Sequence, residues 1–276
     1  MDDRAARPSR PPLALIGLGI DANSSHLFGA ADGPGAIRAA LHSGSGNSSN
    51  EAGLDVVASI GDVGDLPVEN VRGSVADADA ITSAIAGIIA GGQRPIALGG
   101  DHSVTYPILR AVGAHHPDLT VVHIDAHPDL YDDLDGNPLS HASPFARALE
   151  AGCMSRLVQL GIRTANPHQR EQAARFGVEM ISPRELPSAS LDSIDGPVYL
   201  TIDLDGIDPS EAPGVSHHEP GGLTMREVLD VIDALRGVVV GADIVELNPS
   251  RDVVDMTAMV GAKLLKEVAG TMLTER

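Results

Sequence analysis

The chain has 276 residues, 43% of them hydrophobic, and sets 19 Lys and Arg against 38 Asp and Glu for a formal net charge of -19. That length suits one large core and is short for two independent domains. The acidic excess repels phosphate backbones, and three Tyr, three Phe and no Trp leave few rings for base stacking, which argues against a nucleic-acid partner.

Residues 1–11 hold two acids, three arginines and two prolines with no apolar segment behind them; they read as a loose tail rather than a secretory signal, with one domain over 12–276. Short β-rich runs then alternate with longer Ala/Leu-rich stretches at helical spacing. Leu13 to Leu18 precedes Gly35 to Leu41, Pro95 to Leu98 precedes Val104 to Val112, and Leu119 to Ile124 precedes Pro144 to Ala151. Leu157 to Ile162, His168 to Phe176, Val198 to Ile202, Met225 to Leu235, Val238 to Val245 and Met256 to Ala269 continue the series. Such alternation predicts an α/β fold, a three-layer αβα sandwich around a mainly parallel sheet. Runs apolar on successive residues, such as Val121-Val122-His123-Ile124, are expected of central strands buried on both faces. The longest apolar stretches, Ile81 to Ala90 and Val238 to Ala242, fall short of the roughly 20 residues a membrane span needs. A lone cysteine, Cys153, permits no internal disulfide and points to the cytoplasm.

In parallel sheets functional residues gather after the carboxyl ends of strands. There the chain has Gly99-Gly100-Asp101-His102-Ser103, Asp125-Ala126-His127-Pro128-Asp129 and Asp203-Leu204-Asp205-Gly206. Residues two apart in an extended segment project to one side, so Asp125, His127 and Asp129 can converge, as can Asp203 and Asp205. With His102, this gathers two imidazoles and four carboxylates. Uncompensated, the acids would repel one another and raise their own pKa values; divalent metal resolves that, and two ions suit the ligand count better than one. A donor set without thiolate favours Mn²⁺ ahead of Zn²⁺, Co²⁺ or Fe²⁺. Any one Asp-x-Asp or Asp-x-His pair alone reads equally well as a helix cap or turn acid. Gly61-Asp62-Val63-Gly64-Asp65 suggests a metallophosphoesterase, but it precedes the Asp125/His127 pair, the reverse of that family's order.

These clusters, together with Asn23-Ser24-Ser25, Ser140-His141-Ala142-Ser143, Gly161-Ile162-Arg163, Ala212 to His217, Glu219-Pro220-Gly221-Gly222 and Asp243 to Pro249, resemble the ureohydrolase superfamily of arginases, agmatinases and formimidoylglutamases, and most of all its plant-type arginases. The resemblance implies His102 and Asp129 on one Mn²⁺, His127 and Asp205 on the other, and Asp125 and Asp203 shared between them. It implies that Glu246 accepts the substrate guanidinium, that Asp129 passes a proton to the departing amine and that His141 shuttles protons. A homo-oligomer, trimer or hexamer, is implied as well. Asp101 reads as support for the metal ligands, Asp208 as a turn acid, His123 as a hydrogen-bonded core residue, His217 and His218 as a loop able to roof the site, and His42, His115, His116 and His168 as surface.

Substrate choice turns on the far end of the molecule. Animal arginases carry an Asp for the α-amine where this chain has Asn166; plant-type arginases also have Asn there. Asp132, Asp133 and Asp135 could attract an amine but would repel a carboxylate. Asn166 and His217 are therefore the candidate substrate contacts beside Glu246 and His141. The expected small guanidino substrate is L-arginine, followed by agmatine, then guanidinobutyrate or formimidoylglutamate. A single-zinc deacetylase and a non-catalytic relative are the readings from other classes.

Overall fold

The computed structural model describes residues 10 to 274; residues 1–9 of the expected tail lie outside them. Eight strands form one sheet in the order β2-β1-β3-β8-β7-β4-β5-β6, and every pairing in it is parallel. They are β1 (Leu13–Leu18), β2 (Ile60–Asp65), β3 (Arg94–Gly99), β4 (Thr120–Ile124), β5 (Arg156–Leu160), β6 (Glu179–Ile181), β7 (Pro197–Asp203) and β8 (Val238–Val245). The helices are α1 (Gly33–Leu41), α2 (Val75–Ala90), α3 (Thr105–Gly113), α4 (Pro144–Glu150), α5 (Pro167–Phe176), α6 (Met225–Ala234) and α7 (Met256–Leu273).

Helices cover both faces, which gives the sandwich its two cores. Leu13, Leu15, Ile96, Leu98, Ile124, Ile202 and Ile244 meet α1, α6 and α7 on one side. Ala14, Ala97, Val121, Tyr199 and Val245 meet α2, α3 and α4 on the other. Burial on both faces explains why β3, β4 and β7 carry apolar residues at successive positions. Met256 to Ala269 forms most of α7 and buries Ala258, Ala262, Leu265 and Val268.

Local chemistry sets the helix ends. α5 starts at a reciprocal capping box of Asn166 and Gln169, with Pro167 behind it, and ends at Gly177 in the left-handed region; α6 starts at a second box of Thr224 and Glu227. Among the described residues no helix is long and apolar enough to cross a membrane.

Three elements escape the sequence reading. β2 is rich in Gly and Asp and lies at the sheet edge; its Asp62 and Asp65 bind Arg38 of α1, so the phosphoesterase-like segment serves an ion pair on an edge strand and joins none of the acid clusters. β6 has three residues. α2, capped by Ser74, contains the apolar run Ile81 to Ala90.

Candidate metal centre and its surroundings

The strands β3, β8, β7 and β4 lie side by side at the middle of the sheet, and their carboxyl ends bring His102, Glu246, Asp203 and Asp125 to one rim. Register aligns them: Ile124 pairs with Ile202, Ile202 with Ile244, and Ile244 with Leu98. Two glycines allow close approach. A Cβ on Gly206 would fall 2.8 Å from the Asp125 backbone nitrogen, and one on Gly100 would fall 2.0 Å from the Ile20 carbonyl oxygen.

His102 Nδ1 is ringed by Asp125 Oδ2 at 3.2 Å, Asp129 Oδ2 at 3.1 Å and Asp203 Oδ2 at 3.2 Å, yet this fully buried nitrogen has no hydrogen-bond partner. The ring's other nitrogen lies 3.0 Å from Thr201 Oγ1, whose proton goes to Asp243 Oδ1 at 2.5 Å. With the hydroxyl committed as a donor to Asp243, Nε2 is the protonated nitrogen and Nδ1 offers a lone pair into the carboxylates. Four acceptors around one point repel unless a cation lies among them, so the donor set fits a divalent metal. A second group shares Asp125: its Oδ1 is 3.4 Å from His127 Nδ1, which is 3.1 Å from Asp205 Oδ2. All six expected ligands thus lie in two adjoining clusters, with one oxygen of Asp125 facing each.

Electrostatics agree. Burial, followed by repulsion from Asp205 and Asp125, pushes Asp203 well above the carboxylate range. Burial lifts Asp205 to about 6, against the pull of His127. Burial would raise Asp125 too, but His123, His102 and His127 around it hold it well below the ordinary value.

A polar row runs one register step below the ligands. Gln159 pairs with His123, His123 with Thr201 and Thr201 with Asp243, across β5, β4, β7 and β8. Gln159 Nε2 donates to Pro128 O at 2.6 Å and to His123 Nδ1 at 3.0 Å, so His123 carries its proton on Nε2 and gives it to Asp125 Oδ2 at 2.7 Å. His123 therefore steadies a ligand rather than acting as one. Asp243 accepts hydroxyls from Thr105 at 2.9 Å, Tyr199 at 2.8 Å and Thr201. Gln159, Tyr199, Thr201 and Asp243 have no assigned role in the sequence reading. Their signal was a polar residue inside a strand buried on both faces, where every such group needs a partner; Thr201, like His123, lies two before a ligand.

The remaining candidates group around Glu246. Its Oε1 accepts from the His102 backbone N–H at 3.0 Å and meets His141 Nδ1 at 3.0 Å. Burial lowers a histidine pKa, but the hydrogen bond and charge of Glu246 outweigh it and raise His141 to about 9. The half-buried His217 ring lies over both, with its centroid 5.3 Å from that of His141 and 5.8 Å from that of His127, and so forms a wall of the site. Asp101 is fully buried and accepts from Asn23 and Ser103, in keeping with support. Asp208 caps Ser210 and holds Gly221 and Gly222, as a turn acid does.

Asn166 is placed differently from a plain substrate contact. Its Oδ1 caps α5 and its Nδ2 donates to Tyr131 Oη at 2.6 Å, so the side chain anchors the loop after Asp129 to the helix. The acidic run beyond it is engaged as well. Asp132 bonds to Gln172 and lies 3.9 Å from both Arg147 and Arg175, while Asp133 Oδ1 accepts the Gly136 N–H within a turn.

Arginase 1, mitochondrial, of Arabidopsis thaliana is 45% identical over 277 residues, which cover 95% of this chain and 81% of that protein. Agmatinase, mitochondrial, of Gallus gallus is 37% identical, over 92% of this chain and 79% of its own. The solved arginase from Medicago truncatula superposes with a TM-score of 0.89 at 42% identity, covering 94% of this chain and 87% of the other. Residues 11–270 match the Arginase family as a whole, and with the strand-end acids and imidazoles gathered on one rim of an eight-stranded parallel sheet, the chain belongs to that family.

Proposed function

We propose that this chain is a binuclear manganese hydrolase that cleaves L-arginine to ornithine and urea. The observation that carries the reading is the place of Glu246: a buried acid beside two carboxylate-imidazole clusters, its Oε1 taken by His102 and His141 and its Oε2 left for a guanidinium. Two divalent cations, held by His102, Asp125, Asp129 and Asp203 and by His127, Asp125, Asp203 and Asp205, would supply hydroxide near neutral pH by lowering the pKa of water.

The chain's own residues do the rest. Glu246 binds and orients the guanidinium through charge-assisted hydrogen bonds, which matters because a resonance-stabilised cation is a poor electrophile. Asp129 hands a proton to the departing amine, and His141 holds or releases one beside it. His217 walls the entrance and Asn166 fixes its rim. The same reading takes residues 12–276 as one catalytic unit, working as a homo-oligomer, with the exposed apolar Phe28, Val253 and Met256 as interface candidates. It places the chain in the cytoplasm on the strength of the lone Cys153.

L-Arginine stands first because the plant arginases are the more similar relatives and because Arg147 and Arg175 offset Asp132, the acid that would repel an α-carboxylate. Agmatine, which keeps the guanidinium and the amine and lacks the carboxylate, stands second, in line with the similarity to the Gallus gallus agmatinase. The deciding experiment is urea release after Mn²⁺ loading, in parallel on L-arginine, agmatine and guanidinobutyrate. Urea from arginine at the highest kcat/KM is expected; urea from agmatine and none from arginine would replace the substrate assignment.

A further inference from the structure

Ser25 lies at the surface, with its hydroxyl 2.9 Å from Nε2 of the buried His141 and its backbone N–H donating to the same nitrogen at 3.2 Å. The opposite nitrogen, Nδ1, faces Glu246. A backbone N–H can only donate, so in the neutral ring Nε2 is the acceptor and Nδ1 carries the proton toward Glu246. Charged and titratable groups facing the ring are Glu246, Asp129, Asp101 and His217; Nε2 itself is hydrogen-bonded to the exposed Ser25.

The segment carrying Ser25 is tied down. Asn23 donates its backbone N–H to Asp101 Oδ2 at 3.0 Å and its side-chain amide to Ser103 Oγ at 3.0 Å; its own Oδ1 accepts from Gly73 at 2.8 Å and Asn137 at 2.9 Å. The Asn23 carbonyl accepts the His141 backbone N–H at 3.2 Å. Ring and hydroxyl are thus held in register by the same short loop, more structure than a surface serine needs for solubility.

We propose that Ser25 is a relay residue that moves protons between His141 and bulk water. The inference rests on the ureohydrolase reading, in which the oxygen of water goes to urea and both its protons end on the ammonium; the proton lost when hydroxide forms must be held, or exchanged with water, until the amine takes it up. Outward, the Nε2–H bond of the imidazolium breaks as a new bond forms on Ser25 Oγ, while the original Oγ–H proton passes to a water molecule. The hydroxyl is regenerated and one proton has moved. Inward transfer is the reverse. A hydroxyl can do this because it both donates and accepts, whereas the Ser25 N–H cannot.

The test uses Ser25→Ala and Ser25→Thr in the Mn²⁺-loaded protein with L-arginine. Alanine keeps the N–H and removes the relay. Its kcat should fall on the order of tenfold, less than the 100- to 10,000-fold that general acid-base groups themselves contribute. KM should hold, the solvent deuterium effect should grow, and added imidazole buffer should restore part of the rate. Threonine should retain the wild-type rate. In the metal-free protein, proton exchange between His141 and solvent, read by ¹⁵N NMR, should slow in Ser25→Ala alone. Wild-type kcat in Ser25→Ala, or a loss that buffer does not restore, would overturn the relay. Absence of urea from the wild type would instead overturn the parent reading, and the exchange rates would then decide the relay by themselves.

Discussion

Two of the site's acids stand on backbone that side-chain-bearing residues rarely adopt: Asp129 has φ of 50° and Glu246 has φ of 65°. Such conformations cost of order 1–3 kcal/mol each and persist where the surroundings impose them; here the Glu246 N–H is bound to Gly100 O at 2.7 Å. What the strain delivers is a carboxylate set against His141. The expected outcome is that His141 of the metal-free protein titrates by NMR near 9 rather than near 6.5, and that Glu246→Gln brings it back toward the lower value. Because the folded value lies above the unfolded one, the pair stabilises the fold fully below pH 6.5 and loses that contribution as pH rises through about 9. The same substitution should lower kcat/KM for L-arginine by roughly 10- to 100-fold, the worth of a charge-assisted hydrogen bond. A His141 that titrates near 6.5 in both proteins would contradict the pairing.

Strands β4, β7 and β8 each carry a ligand or substrate acid at the carboxyl end and a polar residue of the row below it. Thr201 is the pivot, since it accepts from His102 and donates to Asp243. Thr201→Val keeps the shape but strands both partners, at a cost of about 1–3 kcal/mol for each buried group left unpaired, and should weaken Mn²⁺ binding by about 10- to 100-fold. Urea unfolding and a metal titration followed by electron paramagnetic resonance measure the two effects; an unchanged metal affinity would reduce the row to packing. The strand-end ligands were legible because each follows a mostly apolar strand, at whose buried end an acid has no solvent to face. The row was not, because cross-strand register decides which polar residues meet, and register is a tertiary fact; only His123 was read as a hydrogen-bonded core group. The β2 and β6 strands escaped for lack of apolar length, and Glu246 and His141 acquired roles only through family resemblance. Beyond β8, Val254 is 85% exposed with φ of 53°. A β-branched residue gains nothing there, so Val254→Gly should relieve about 1–2 kcal/mol of strain, offset by about 0.5–1 kcal/mol of chain entropy. A melting temperature raised by about 1–3 °C is expected; a lower one would mean that the side chain is held by a contact such as a second subunit.

At the scale of the whole molecule, the sheet delivers acids from three adjacent strands and an imidazole from a fourth to a single rim, in a chain whose net charge is already -19. Divalent metal is therefore expected to be part of the stability as well as of the chemistry. Saturation at about 100 times the dissociation constant adds about 2.7 kcal/mol, so chelation should lower the melting temperature by roughly 5–10 °C. Loading should also release protons, because burial and mutual repulsion leave Asp203 and Asp205 with raised pKa values until cations displace the protons. Calorimetry in buffers of different ionisation enthalpy counts them, and a loading heat independent of buffer would contradict this account of the site. The most direct test remains urea release from L-arginine by the Mn²⁺-loaded protein beside Asp125→Asn, the residue whose two oxygens face the two clusters. Urea from the wild type and a loss of several orders of magnitude in the variant is the predicted result; equal urea from both would contradict a two-cluster metal site as the seat of the reaction.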